Sequence, residues 1–196
     1  IPLKGKPMPQ IKSPADLDRI RKEIIAKRDP NKPCITVCSG TGCHAYGCER
    51  LAVAFKEEIK RQGLADEVDI RTTGCHGFCE RGPLVAIKPE GIFYQRVSLE
   101  DVPEVVSDTI VKGNIVDRLL FVDPETGEKA IHEHEVPFYK KQRRIVFGTN
   151  GLIDPTAIDD YLAVGGYAAL SKVISSMSPE QVVEEVKRAN LRGRGG

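Results

Sequence analysis

The chain has no uninterrupted apolar run near the roughly 20 residues that span a bilayer. Its N-terminus, Ile-Pro-Leu-Lys-Gly-Lys, lacks the apolar core of a secretory signal. Charge of one sign is not in excess: 29 Lys and Arg stand against 28 Asp and Glu, so bulk charge gives no case for nucleic acid or a membrane surface. No Cys-x-x-Cys occurs anywhere, which counts against a thioredoxin-type dithiol and against the usual zinc knuckle. No cysteine follows Cys79. What is present is an ordinary globular composition, 40% hydrophobic and 29% charged over 196 residues. That suits one large domain, or a small one plus part of another. A cytoplasmic protein is the expectation.

Six cysteines, Cys34, Cys38, Cys43, Cys48, Cys75 and Cys79, crowd into one stretch of the chain. In a reducing compartment such crowding argues for metal or redox chemistry rather than disulfide staples.

Local signals divide the sequence. Residues 1–32 read as an extended Pro- and Lys-rich arm followed by a helix over 14–28, with Ser13 as N-cap and Pro14 at the first helical position. This stretch holds nine Lys and Arg against four Asp and Glu, a solvated face or a dock for an acidic partner. From Pro33 to Cys38 a β-branched strand runs into the loop Ser39-Gly40-Thr41-Gly42. Helical periodicity follows over 48–62, then a strand over 68–72, a loop Gly74 to Cys79, and a hairpin of 84–88 and 92–97 around Pro89-Glu90-Gly91. Ser98 caps a last helix ending near Gly113. The order β-α-β-β-β-α over 33–113 predicts a thioredoxin-like α/β domain with a parallel pair and an antiparallel edge. Residues 114–136 read as a linker with a small hairpin, 119–122 against 130–136. Residues 137–196 read as the mostly helical start of a second domain, with helices near 155–163, 166–175 and 179–190.

Four residues separate Cys38 from Cys43, three separate Cys75 from Cys79, and 31 separate the pairs. Each pair follows a predicted strand in a glycine-containing loop. Two such loops at one end of a sheet bring four thiolates together, which suits a 2Fe–2S cluster. Structural zinc, thiol redox and plain buried cysteines stay open on spacing alone. Cys34 and Cys48 read as small buried hydrophobes. His44 and His76 each follow a candidate ligand; second-layer or structural roles fit them better than replacement of a cysteine.

The strings Cys38-Ser-Gly-Thr-Gly-Cys43-His44 and Thr73-Gly-Cys75-His76-Gly-Phe-Cys79 closely resemble the thioredoxin-like 2Fe–2S ferredoxin family. That family includes a subunit of respiratory complex I and modules fused to NAD(P)H-oxidising flavoprotein subunits. The resemblance covers about residues 33–113 and implies that Cys38, Cys43, Cys75 and Cys79 ligate one 2Fe–2S cluster that carries single electrons.

Further on, Asn150-Gly-Leu-Ile-Asp-Pro155, Tyr161 to Leu170, Ser178-Pro-Glu180 and Leu191-Arg-Gly-Arg-Gly-Gly196 occur in order. Together they resemble the entry into the FMN- and NAD(H)-binding flavoprotein subunit of complex I. The same arrangement is seen in the beta subunits of NAD(P)-linked or electron-bifurcating iron hydrogenases and soluble formate dehydrogenases. A ferredoxin module fused to it implies the hydrogenase or formate dehydrogenase type. Gly193, Arg194, Gly195 and Gly196 would then open the FMN cradle. The resemblance also implies NAD(P)(H) and 4Fe–4S sites beyond Gly196, an iron–sulfur catalytic subunit and a small 2Fe–2S subunit as partners, and a chain that is a fragment of a longer polypeptide. Such a fragment would carry electrons without oxidising NADH by itself. The competing expectation is a zinc-stabilised interaction module.

Two clusters invite blander readings. His132 and His134 alternate on a predicted strand with Glu133 and Glu135 on its other face, which suggests an exposed edge. Lys140, Lys141, Arg143 and Arg144 read as a solvated basic face, with a partner subunit or anionic cofactor as the alternative.

Overall fold

The computed structural model describes residues 11–193. The arm over residues 1–10, together with Arg194, Gly195 and Gly196 of the expected flavin loop, lies outside the described residues. Two compact units divide the chain: residues 29–160 form one, and residues up to 28 join those from 161 onward in the other. Among the described residues no helix is long and apolar enough to cross a membrane.

The larger unit is built on a sheet of four strands, β1 (Cys34–Cys38), β2 (Asp69–Thr73), β3 (Val85–Lys88) and β4 (Ile92–Tyr94), in the order β2-β1-β3-β4. β1 pairs parallel with β2 and antiparallel with β3, and β4 closes the hairpin. The β1-to-β2 connection passes through a short helix α2 (Thr41–Ala45) and the long α3 (Cys48–Arg61), as a parallel pair requires. This is the thioredoxin-like arrangement. Every residue of β1 is buried, because the strand is central and both sheet faces are covered.

Alternation along β4 shows what covers each face. Tyr94 turns one way, its hydroxyl 2.7 Å from Thr109 Oγ1 and accepting from the Val116 N–H at 3.0 Å. Phe93 turns the other way, with Tyr139 edge-on at 5.8 Å and the His76 ring at 6.3 Å. On the Tyr94 side a helical stretch over 99–111 packs with α3. It opens with a capping box at Ser98 and Asp101, continues through α4 (Val102–Glu104) and widens into π-helical turns over Val105–Val111.

Residues 114–136, expected as a linker, pack into the same core through Val116, Leu119, Leu120, Phe121, Ala130 and Val136. The hairpin there is shorter than expected: β5 (Phe121–Val122) pairs only with β6 (Lys129–Ala130). Residues Glu133–Glu135 form a 3-10 turn, not a strand. The reason is local. The Glu135 carboxylate accepts from the N–H groups of Ile131 and His132, at 2.8 and 2.9 Å, which caps the turn and ends the extended run. Glu133 therefore does not lie on a strand face opposite His132 and His134. A further short helix, α5 (Pro137–Lys140), follows at once.

In the smaller unit, α1 (Pro14–Ala26) is capped by the Ser13 side chain as expected. Leu17 and Ile20 bury against Leu162 of α6 (Ile158–Ala163), the helix in which the units divide. Arg21 donates to the carbonyls of Leu162 and Gly166. Helices α7 (Ala168–Ser176) and α8 (Pro179–Arg188) complete this unit, and the Ser178 cap repeats the logic of Ser13. Gly193 lies exposed beyond α8, with nothing within 4 Å of where a side chain would begin.

Candidate metal centre

Parallel strands leave a sheet at the same edge, and register makes the meeting close here: Cys38, the last residue of β1, pairs with Thr73, the last of β2. Ser39 N–H donates to the Thr73 carbonyl at 2.8 Å, so the two loops start side by side. The first loop carries Cys43 on α2; the second carries Cys75 and Cys79. Cys38 and Cys43 are buried, Cys75 is half-buried and Cys79 is exposed. All four expected cysteines are thus drawn to one end of the sheet, with the second pair on the solvent side.

Close approach of the loops depends on two glycines. A Cβ on Gly40 would lie 2.7 Å from Cys75 Cβ and 2.9 Å from its sulfur; one on Gly42 would lie 2.9 Å from Cys79 Cβ. Real side chains do not fit at such distances, so each glycine of the first loop seats one cysteine of the second.

The sulfurs come as two pairs. The Cys43 thiol hydrogen-bonds to Cys38, and Cys75 Sγ lies 3.9 Å from Cys79 Sγ. That hydrogen bond draws the Cys38 thiol well below its ordinary value against the opposing effect of burial, helped by the N–H groups of Gly40 and His76. Cys43 is pushed up by the same partnership and by burial, with the Leu84 N–H acting the other way. Burial also raises Cys75, partly offset by the Gly77 N–H at 3.3 Å from Sγ. Among the described residues no three His, Cys, Asp or Glu side chains converge as ligands of a single metal ion would. Two adjoining thiol pairs furnished with backbone donors are instead a donor set that fits a two-iron cluster.

The remaining cysteines behave as expected of buried hydrophobes. Cys34 and Cys48 are buried, and burial raises both thiols.

Each cysteine loop also has a histidine tied down at both nitrogens. His44 Nε2 lies 3.0 Å from Ser39 Oγ, and its Nδ1 3.3 Å from Glu49. His76 Nε2 lies 3.1 Å from Thr73 Oγ1, and its Nδ1 3.0 Å from Glu133 Oε1. Neither ring takes the place of a cysteine.

The residues around His76 escape the sequence-based expectation. Glu133, expected on an exposed edge, is bonded to His76 and to Arg144, whose Nη1 is 3.3 Å away. Of the basic run, Lys140, Lys141 and Arg143 are exposed, but Arg144 is half-buried and lies over the Tyr139 ring at 4.2 Å. Its Nη2 donates to the His76 carbonyl at 2.9 Å, and Asn150 Nδ2 donates to the Cys75 carbonyl at 3.3 Å. Phe78, between Gly77 and Cys79, stacks on Phe138 with ring centroids 4.6 Å apart. A histidine directly after a cysteine is the one sequence signal that points toward these contacts.

Comparison with known proteins gives this geometry a family. A profile for the thioredoxin-like [2Fe-2S] ferredoxins matches residues 23–109. The chain is 38% identical over 77 residues to a 2Fe-2S ferredoxin of Clostridium pasteurianum, an alignment covering 39% of this chain and 76% of that one. It is 56% identical over 57 residues to the NADP-reducing hydrogenase subunit HndC of Solidesulfovibrio fructosivorans, covering 29% of this chain but only 11% of that subunit. It is 52% identical over 40 residues to an NADH-quinone oxidoreductase subunit of Aquifex aeolicus, 20% of this chain and 9% of that one.

Proposed function

The chain belongs to the thioredoxin-like [2Fe-2S] ferredoxin family, and on that premise we propose that Cys38, Cys43, Cys75 and Cys79 hold one 2Fe–2S cluster as a relay for single electrons. The observation that carries this is the seating of two sulfur pairs against each other through Gly40 and Gly42. A bound cluster of this type supplies one-electron redox chemistry. The protein supplies position and electrostatics. The N–H groups of Gly40 and His76 on Cys38, Leu84 on Cys43 and Gly77 on Cys75 favour the more negative, reduced state. Exposure of Cys79 leaves the second pair as the side facing an electron donor or acceptor.

The same reading extends to the host protein. The ordered strings from Asn150 to Gly196 support residues 137–196 as the start of an FMN- and NAD(P)(H)-binding flavoprotein domain, and short stretches of identity to HndC and to the NADH-quinone oxidoreductase subunit support a host of that kind. The domains proposed are then an arm and helix over 1–32, a ferredoxin core over 33–113 with 114–136 packed into it, and a flavoprotein start over 137–196. The host is a multi-subunit NAD(P)H-dependent oxidoreductase of hydrogenase or formate dehydrogenase type, with FMN and 4Fe–4S centres outside this stretch and iron–sulfur subunits as partners. The described part of the proposed flavin loop, Gly193, makes no contact that identifies a ligand.

Anaerobically purified protein should be brown, contain iron and sulfide in equal amounts, and give a rhombic electron paramagnetic resonance signal after reduction. Colourless protein with stoichiometric zinc would overturn the proposal and favour an interaction module.

A further inference from the structure

Glu133, Arg144, Asn150 and Gly151 all lie beyond residues 23–109, the span that matches the ferredoxin family. All four nonetheless touch the second cysteine loop. Glu133 Oε1 is 3.0 Å from His76 Nδ1. Arg144 bridges that carboxylate and the His76 carbonyl, and Asn150 Nδ2 reaches the Cys75 carbonyl. Gly151 presses on the imidazole so closely that a Cβ there would lie 2.8 Å from His76 Cε1. The peptide that carries the His76 carbonyl also carries the Gly77 N–H, which donates to Cys75 Sγ at 3.3 Å.

From this we infer that residues 133–151 form a strap whose Glu133, Arg144 and Asn150 are positioning residues for the cluster. They grip the His76 ring and the carbonyls of Cys75 and His76, and so fix the aim of the Gly77 N–H at Cys75 Sγ. The inference rests on the cluster assignment above and adds that the family core does not by itself complete the hydrogen-bonding surroundings of the sulfurs. The chemistry of the grip is plain. With Nδ1–H donating to Glu133, Nε2 is free to accept from the Thr73 hydroxyl, and the ring cannot rotate without losing both bonds. Side chains on a nearby loop hold a backbone donor as surely as they hold a ligand, and donor placement sets how well the reduced state is stabilised.

The test compares Glu133→Ala with Glu133→Gln in the cluster-bearing protein. Both remove the same charge, but only the glutamine keeps an acceptor for His76 Nδ1–H. At a fixed applied potential the alanine variant should show a reduced-to-oxidised ratio about threefold to tenfold lower than the glutamine variant, the worth of roughly one hydrogen bond. A tenfold change corresponds to about 59 mV for a one-electron couple. The paramagnetic resonance g-values should move in the alanine variant and stay near wild type in the glutamine variant. Identical potentials and g-values in the two variants overturn the strap. If Glu133→Ala fails to retain a cluster, Gly151→Ala decides, since it displaces the same ring with no change of charge: a lowered ratio supports the strap, an unchanged one overturns it. Wild-type protein without the spectrum of a 2Fe–2S cluster would instead sink the cluster assignment, whatever the variants do.

Discussion

Ser39, His44 and Glu49 on the first cysteine loop, and Thr73, His76 and Glu133 at the second, form the same chain of hydroxyl, imidazole and carboxylate. In both, Nε2 faces the hydroxyl and Nδ1 the acid. Their settings differ. The His44 and Glu49 side chains are 41% and 77% exposed, whereas those of His76 and Glu133 are 3% and 28% exposed. In water an ion pair or hydrogen bond mostly replaces another of similar strength; in a buried site each unmade bond leaves a group with no partner. The first chain is therefore a surface ornament of its loop, and the second part of its foundation. Sequence neighbours look alike where the energetics do not.

The contact that joins the two loops offers the largest effect. Gly40→Ala places a methyl group where Cys75 already sits, so the loops must separate. It should cost about 1–3 kcal/mol of stability, as overpacking does, and strongly lower cluster content, read from visible absorption per protein. Normal cluster content in this variant would show that the loops are not held as close as they stand here.

Next in size, the two histidines can be set against each other. His76→Ala should destabilise the protein by about 1–2 kcal/mol, because it strips a buried partner from Glu133 and from Thr73. His44→Ala should change stability by less than about 0.5 kcal/mol, as exposed sites do. Denaturant midpoints at matched cluster content make the comparison, and equal losses would erase the distinction between the loops.

The smallest expected effect is a response to acid confined to the second loop's support. Glu135 caps the turn that presents Glu133, and the His132 N–H and side chain, with the Ile131 N–H, hold its carboxyl down to about 2 from an ordinary 4.5. A depressed folded value stabilises the protein in full above about pH 4.5 and loses that contribution as pH falls toward 2. Because Glu135 is partly exposed, solvent trims the effect. Glu135→Gln should flatten the stability profile between these values, as followed by urea unfolding at stepped pH. An unchanged slope would remove the cap from the account.

Much of the fold was legible because its signals are local. Ser13-Pro14 and Ser178-Pro179 announce helix starts within four residues, and β-branched runs mark β1 and the hairpin. The cysteine pairs were legible for the same reason, since each sits within one loop of a strand end. The failures were also local patterns, overruled from elsewhere. The alternation from His132 to Glu135 suggests a strand, but one carboxylate capping two N–H groups turned it into a 3-10 turn. Arg144 looks like one more solvated cation among four, until the Tyr139 ring and the His76 carbonyl give it a place.

By itself the sequence determined where the candidate chemistry sits: four cysteines in two glycine loops, each after a strand, with a histidine behind one cysteine of each pair. Only the tertiary structure decided what surrounds them. The bonds that secure the second loop join residues 57, 68 and 75 positions apart, from Glu133, Arg144 and Asn150. A hydrogen bond over that distance leaves no periodicity in the chain, because its geometry arises from the packing of α5 and the segment after it against the sheet. The cysteine pairs are visible in spacing, and what holds their loops is set by burial.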